Sequence, residues 1–171
     1  MTLTEELVQR FAWIGGHADV WRLFADGPLF RRIISALAEP FGDVSKVTGV
    51  EARGFILGAP VATELGVGFV AIRKEAGLFP GPKAVRRAEP DYRGIESVLR
   101  IQRGSLEARD RVVLVDDWAE RGSQALAAKA LIEECGATFA GFALVVDQLE
   151  PEVRAQLAPV HALLSHEQLD A

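Results

Sequence analysis

Residues 111–124 read RVVLVDDWAERGSQ, and they decide the fold. The run VVLV is continuously apolar rather than alternating, as in a strand buried on both faces of a parallel sheet. It stops at two adjacent aspartates, Asp116 and Asp117. A short polar turn with one glycine follows, and then the alanine-rich run ALAAKALIEECG, residues 125–136. The pattern is strand, loop, helix, with acid at the strand's carboxyl end and a helix amino terminus after it. Ligands of α/β proteins sit at the carboxyl edge of the sheet. The amino terminus of a helix offers unpaired N–H groups and a positive dipole end to an anion. Two carboxylates beside an anion site suit a sugar phosphate, its hydroxyls held by the acids, with a hard cation such as Mg²⁺ nearby.

Outward from this stretch, the same alternation recurs. A helix is expected over residues 4–13 with Thr4 as its cap, then an aromatic segment VWRLF at 20–24. A further helix is expected from Pro28 to about Phe41, capped by Asp26 or Gly27, since proline is favoured in a first turn. KVTGV (46–50) reads as a short strand ending in the polar turn EARG. Residues 54–65 are apolar at nearly every position and read as a buried helix closed by Gly66. VGFVAIRK (67–74) and TFAGFALVV (138–146) read as strands, with a helix at 122–135 between the second acid-bearing turn and the latter. A short helical PEVRAQLA and an apolar run, VHALLS, complete the body. Strands alternating with helices at this spacing imply an α/β fold, a mostly parallel central sheet flanked by helices, in a single domain spanning residues 1–171.

Residues 75–94, EAGLFPGPKAVRRAEPDYRG, break the periodicity with three prolines and three glycines. A connector this long in a compact domain is usually a lid or binding loop, so it is read as a flexible flap. The other reading is a plain β-ribbon, with IESVLRIQ (95–102) as its returning strand.

The bulk numbers exclude several classes. A chain of 171 residues, 49% apolar and 25% charged, fits one soluble domain with a full core. A net charge of −5 argues against a nucleic-acid partner. The single cysteine, Cys135, cannot form an internal disulfide and fits a reducing cytoplasm. The start carries two glutamates and no signal-type apolar segment, and no stretch approaches a membrane span. His17, His161 and His166 have no metal-ligand spacing, so no protein-bound metal is expected.

The candidate site residues follow from the strand ends. Successive strand residues point to opposite faces, so in ideal geometry only one of Asp116 and Asp117 faces a ligand. Glu120, Arg121, Gly122, Ser123 and Gln124 form the anion cradle, with Gly122 permitting close backbone approach. Arg121 either pairs with the phosphate or lies on the surface, and Glu120, a like charge, is expected to point outward. Arg53, Arg73 and Lys74 stand at the ends of two other strands. They converge as a clamp for a diphosphate, or else form salt bridges to Glu51, Glu64 and Glu75.

Together these motifs resemble the type I phosphoribosyltransferases, specifically the adenine-using branch, over nearly the whole length and most densely at residues 51–124. EARGFILGAPVATELGVGFVAIRK is similar to that family's pyrophosphate loop with its helix and strand. GLFPGPK is similar to the start of its flexible hood, and LAPVHALLS to its last strand. The resemblance implies that a purine base attacks C1 of phosphoribosyl pyrophosphate (PRPP), releasing pyrophosphate, with Mg²⁺ carried on the diphosphate and the protein acting as a homodimer. It further implies that Asp116 and Asp117 hold the ribose hydroxyls and residues 120–124 the 5-phosphate. Arg53, Arg73 and Lys74 would hold pyrophosphate, and Val20, Trp21 and Arg22 would sit against the base. Asp91, beside Tyr92, would assist proton transfer, although it is shorter than the glutamate usual there. The family's phosphate loop usually reads Ala-Thr-Gly-Gly-Thr. Here Arg121 and Gln124 stand for both threonines, Ser123 for a glycine, and bulky Trp118 follows the acids. The hood near Gly77 lacks the usual lysine. These departures keep two other readings open: a regulatory module that binds PRPP or a nucleotide without turnover, and a transferase for an unusual base.

Overall fold

A computed structural model describes residues 1–74, 79–91 and 93–169. Five strands form one parallel sheet in the order β4–β3–β7–β8–β9, where β3 is Lys46–Val50, β4 Gly68–Ile72, β7 Arg111–Ala119, β8 Thr138–Asp147 and β9 Val160–Ser165. Both faces are covered, which is why the central strands carry unbroken apolar runs. On one face α3 (Gly27–Ala38) and α4 (Arg53–Leu65) bury Ile33, Leu37, Leu57 and Val61 against Val113, Val115 and Val145. On the other, α5 (Ser123–Glu134) buries Ala128, Leu131 and Ile132 against Val112, Leu114 and Leu144. Val112 and Leu114 thus face α5, while Val113 and Val115 face α4. No described helix is long and apolar enough to cross a membrane.

Several boundaries differ from the sequence reading. The first helix, α1, is Leu3–Arg10 and is capped by Thr2, not Thr4. The Thr2 side chain accepts the Glu5 N–H while Glu5 reaches back to the Thr2 amide, a reciprocal capping box. Trp13 lies beyond it in a two-stranded hairpin, β1 (Trp13–Ile14) with β2 (His17–Ala18). VWRLF folds largely as α2, Trp21–Ala25. Asp26 caps α3 by accepting the Leu29 amide. That helix stops at Ala38, because Pro40 has no N–H for an α turn, and Glu39–Phe41 closes as a 3₁₀ turn.

The strand β7 does not end at Val115 but runs through both aspartates to Ala119. Its neighbour β8 continues alongside it, pairing Trp118 with Val146 and Ala119 with Asp147, so the ladder holds the acidic residues extended.

The segment read as a flap also holds a strand. β5 (Lys83–Ala88) pairs antiparallel with β6 (Ser97–Gln102), from Lys83 opposite Gln102 to Ala88 opposite Ser97. The ribbon reading therefore describes residues 83–88, while residues 75–78, including Gly77, and Tyr92 lie outside the described residues. The ribbon joins the sheet through an antiparallel bridge of Arg73 with Arg100. Its inward residues Ala84, Ala88, Leu99 and Ile101 are buried in the same cluster as α5.

Candidate active site

The first turn of α4 sits almost on the backbone of β3 and β7. A Cβ added at Gly49 would lie 2.2 Å from the Gly54 carbonyl oxygen, and one at Gly54 would lie 3.2 Å from the Val115 carbonyl oxygen. Only two glycines facing each other permit this approach. It brings Arg53, the first residue of α4, to the end of β7. Arg53 Nε stands 3.0 Å from Asp117 Oδ2, in a side chain only 2% exposed. The pair is close in distance, yet no hydrogen bond reaches that oxygen among the described residues. A buried carboxylate is costly unless paired, and Arg53 supplies the countercharge here without an aligned hydrogen bond.

Asp116 accepts the Asp117 amide at 2.9 Å. Asp117 continues the Val113–Val115 series towards α4 and Arg53, and the Asp116 carboxyl lies close enough to feel both the Asp117 and the Arg53 charges. The strict alternation expected of a strand does not continue past them: Trp118 packs with the Val113–Val115 cluster and Ala119 with the Val112–Leu114 cluster. Desolvation, reinforced by the neighbouring Asp117 charge, pushes the Asp116 carboxyl well above its ordinary range.

The other expected cations, Arg73 and Lys74, both follow β4, two strands from β7 at the same sheet edge. Arg73 Nε is 3.4 Å from Glu51, and the Lys74 amide donates to the same carboxylate. Glu51 ends the strand pair, its own amide bonded to the Ile72 carbonyl, and the Glu51–Ala52 peptide is cis. Arg73 also stacks over the Phe79 ring, 5.9 Å from its centroid. Glu64 does not join this group; it accepts from Ser35.

The turn after β7 delivers the chain to α5. Gly122 is its N-cap with φ +70°, a left-handed conformation, and a Cβ there would meet Val153 Cγ1 at 2.6 Å and Leu149 Cδ2 at 2.8 Å. It provides no side-chain oxygen, so the first-turn N–H groups of α5 have no side-chain acceptor from their cap. Arg121 is exposed, Glu120 partly so, and Ser123 and Gln124 occupy the helix's first two positions.

Two groups of candidates are placed elsewhere or otherwise engaged. Asp91 lies at the tip of the β5–β6 ribbon, where it accepts the Arg93 and Ile95 amides at 2.8 and 3.0 Å and pairs with the Arg93 guanidinium. Burial raises its carboxyl, but the Ile95 amide and Arg93 outweigh this and hold it below the usual range. It is fully occupied as a turn organiser. Val20 is 1% exposed, Trp21 meets Phe24 edge-on at 6.1 Å, and Arg22 lies in a groove beside Gln9, Arg10 and Asp26. The helix carrying them packs on α1 and α3.

The rings that do reach the acids' strand come from the two ends of the sequence. Trp118, next to Asp117, contacts Phe11 at 5.9 Å, Trp13 at 5.8 Å and His166 at 6.0 Å, and its Nε1 donates to Gln148. Sequence reading left Phe11 and Trp13 within a helix and His166 without a role. Only the bulk of Trp118 beside the acids hinted at this cluster.

Comparisons with known proteins agree with this geometry. A family model described as a phosphoribosyl transferase domain matches residues 25–160. The chain is 40% identical over 157 residues to adenine phosphoribosyltransferase of Streptomyces coelicolor, covering 86% of this chain and 84% of that protein. It is equally identical over 157 residues to the Cereibacter sphaeroides (strain ATCC 17025) protein of the same name, covering 88% and 86%. The crystal structure of adenine phosphoribosyltransferase from Rhodothermus marinus superposes with a TM-score of 0.83 at 30% identity, over 95% of this chain and 98% of that one. With its two acids at the end of β7 and α4 folded against them through paired glycines, this chain belongs to the phosphoribosyl transferase family.

Proposed function

We propose that this protein transfers the phosphoribosyl group of PRPP to a ring nitrogen of adenine or a related purine. The C1–O bond to pyrophosphate breaks as the base nitrogen bonds to C1, and the proton that nitrogen carried is lost to solvent, giving a nucleoside monophosphate and pyrophosphate. The observation that carries the reading is the Arg53–Asp117 pair at the carboxyl edge of β7, a few residues before the free amino end of α5. One strand end thus carries carboxylates for ribose hydroxyls, a cation for the departing diphosphate and backbone donors for the 5-phosphate.

The acids suit charge development at C1. A sugar carbon that becomes cationic is stabilised by carboxylates already fixed in place. Ribose hydroxyls would donate to the Asp116 and Asp117 carboxylates. Their binding, with the positive charge at C1, favours ionisation of Asp116 against the desolvation that raises it.

Among the described residues no three His, Cys, Asp or Glu side chains are grouped as a metal cage. The available donors fit the manner in which Mg²⁺ is commonly bound, by one or two carboxylates together with substrate phosphates. It would be carried on the PRPP diphosphate, with Asp116 and Asp117 as the carboxylates beside it, and it would neutralise charge on that leaving group. Arg53, Arg73 and Lys74 serve the same diphosphate, and Trp118 offers a flat wall beside C1 for the base. The protein acts as a cytoplasmic homodimer in this reading, which sedimentation velocity would check.

Incubation with PRPP, Mg²⁺ and adenine, guanine, hypoxanthine or a pyrimidine, read by pyrophosphate release and by the nucleotide formed, tests the proposal. AMP formation with adenine is the expected result. PRPP binding without pyrophosphate release on any base would overturn it.

A further inference from the structure

Beside the first turn of α5 lies an open pocket of about 380 Å³, bounded on one side by Arg87, Ala88 and Pro90 of the β5–β6 ribbon and on the other by Arg121, Ser123 and Leu126. Its two walls come from segments separated by more than thirty residues, and each contributes a guanidinium. Glu89 also lines it, so two cations stand against one carboxylate. The walls are held at a fixed spacing, because Ala84 and Ala88 of the ribbon and Ala127, Ala128 and Leu131 of α5 share one buried cluster.

Neither guanidinium has strong employment in the ligand-free protein. Arg121 is exposed and makes no hydrogen bond or ion pair with any described residue. Arg87 reaches Glu96 at 3.3 Å, with both side chains more than half exposed. Exposed pairs of that kind contribute little and are easily exchanged for a better anion. The α5 amino end beside them has no side-chain acceptor from its cap.

We propose that Arg87 and Arg121 form a two-arginine clamp that grips the 5-phosphate of PRPP from opposite walls of this pocket, with Ser123 and the α5 amides at its base. This assigns Arg87, outside the strand-end motifs, as a substrate-binding residue, and it rests on the PRPP reading above. Guanidinium–phosphate pairs are frequently bidentate, so two of them fix the phosphate's orientation as well as its charge. The ribbon then has a function beyond covering α5: it carries half of the phosphate grip.

Calorimetric titration of ribose 5-phosphate, PRPP and pyrophosphate into the wild-type protein, Arg87→Gln, Arg121→Gln and Arg87→Lys tests the clamp. Each glutamine variant is expected to weaken ribose 5-phosphate and PRPP by about tenfold to a hundredfold, the usual range for losing one hydrogen bond to a charged group. Pyrophosphate affinity should be unchanged, and Arg87→Lys should recover part of the loss. Circular dichroism and melting temperature control for folding, which two exposed positions should not alter. Wild-type affinity for ribose 5-phosphate in Arg87→Gln, or an equal loss for pyrophosphate, would overturn the clamp alone. A wild-type protein that binds neither PRPP nor ribose 5-phosphate would overturn the underlying reading as well.

Discussion

Replacing Gly49 by alanine tests whether the site is built by backbone proximity. Residue 49 touches no proposed substrate. Its added Cβ would stand 2.2 Å from the Gly54 carbonyl oxygen, 2.5 Å from that carbonyl carbon and 3.0 Å from the Gly54 Cα. All three are backbone atoms of α4's first turn, so no side-chain rotation relieves the overlap. An ordinary contact requires the turn to retreat by about 1 Å, a displacement that can cost about a hundredfold in rate when it moves a positioned group. Arg53 begins that turn, so its 3.0 Å approach to Asp117 would open by a similar amount. Overpacking of this kind typically destabilises by about 1–3 kcal/mol, which in a chain of this size lowers the melting temperature by about 2–12 °C. The assay is pyrophosphate release under saturating adenine together with a thermal melt. Gly49→Ala should keep the fold, melt earlier and lose kcat/KM for PRPP by far more than its stability loss explains at 25 °C. A variant with wild-type melting and wild-type kcat/KM would refute the claim that the paired glycines place Arg53.

Arg53→Ala should weaken PRPP and pyrophosphate by about 2–5 kcal/mol while affecting ribose 5-phosphate far less; equal losses in calorimetry would contradict its assignment to the diphosphate. Gly122→Ala should destabilise by about 2–5 kcal/mol, since it adds a left-handed penalty to overlap with Val153 and Leu149, as denaturant melts would show. Asp116→Asn should abolish turnover yet raise the melting temperature near pH 8. Asp116's folded pKa is raised, so its ionisation opposes folding; that cost is complete above the raised value, fades as pH falls through it and is gone below the ordinary carboxylate range of about 4. The variant's advantage should therefore shrink on acidification, and a wild type more stable than the variant at pH 8 would contradict the assignment.

The architecture was legible wherever a local rule governed it. KVTGV, the apolar helix closed by Gly66 and the buried run before the acids each follow from periodicity and a terminal glycine, and all three occur where expected. The extent of β7 was not legible, because a run of buried residues gives no sign that a neighbouring strand will hold two aspartates in the ladder beyond it. Residues 83–88 were hidden for a different reason: KAVRRA presents three consecutive exposed residues and buries only the two alanines, so period-two alternation is absent. Asp91 was legible as an acid in the long connector but not as a turn organiser, since that employment depends on the Arg93 and Ile95 amides folding back on it. The ring cluster at Trp118 joins positions 11, 13, 118 and 166, and no window of sequence contains such a relation. The convergence of Arg53 on the acids was legible only as a consequence of parallel neighbouring strands.

The cluster also gives the protein a built-in optical probe. Trp118 is covalently adjacent to Asp117 and in ring contact with Trp13, whereas Trp21 lies apart on α2 and is about half exposed. Substituting Trp21 by phenylalanine would leave emission from the coupled indole pair alone. Occupancy at the neighbouring carboxylates could then be followed in a stopped-flow instrument without a label, on the timescale of a single turnover.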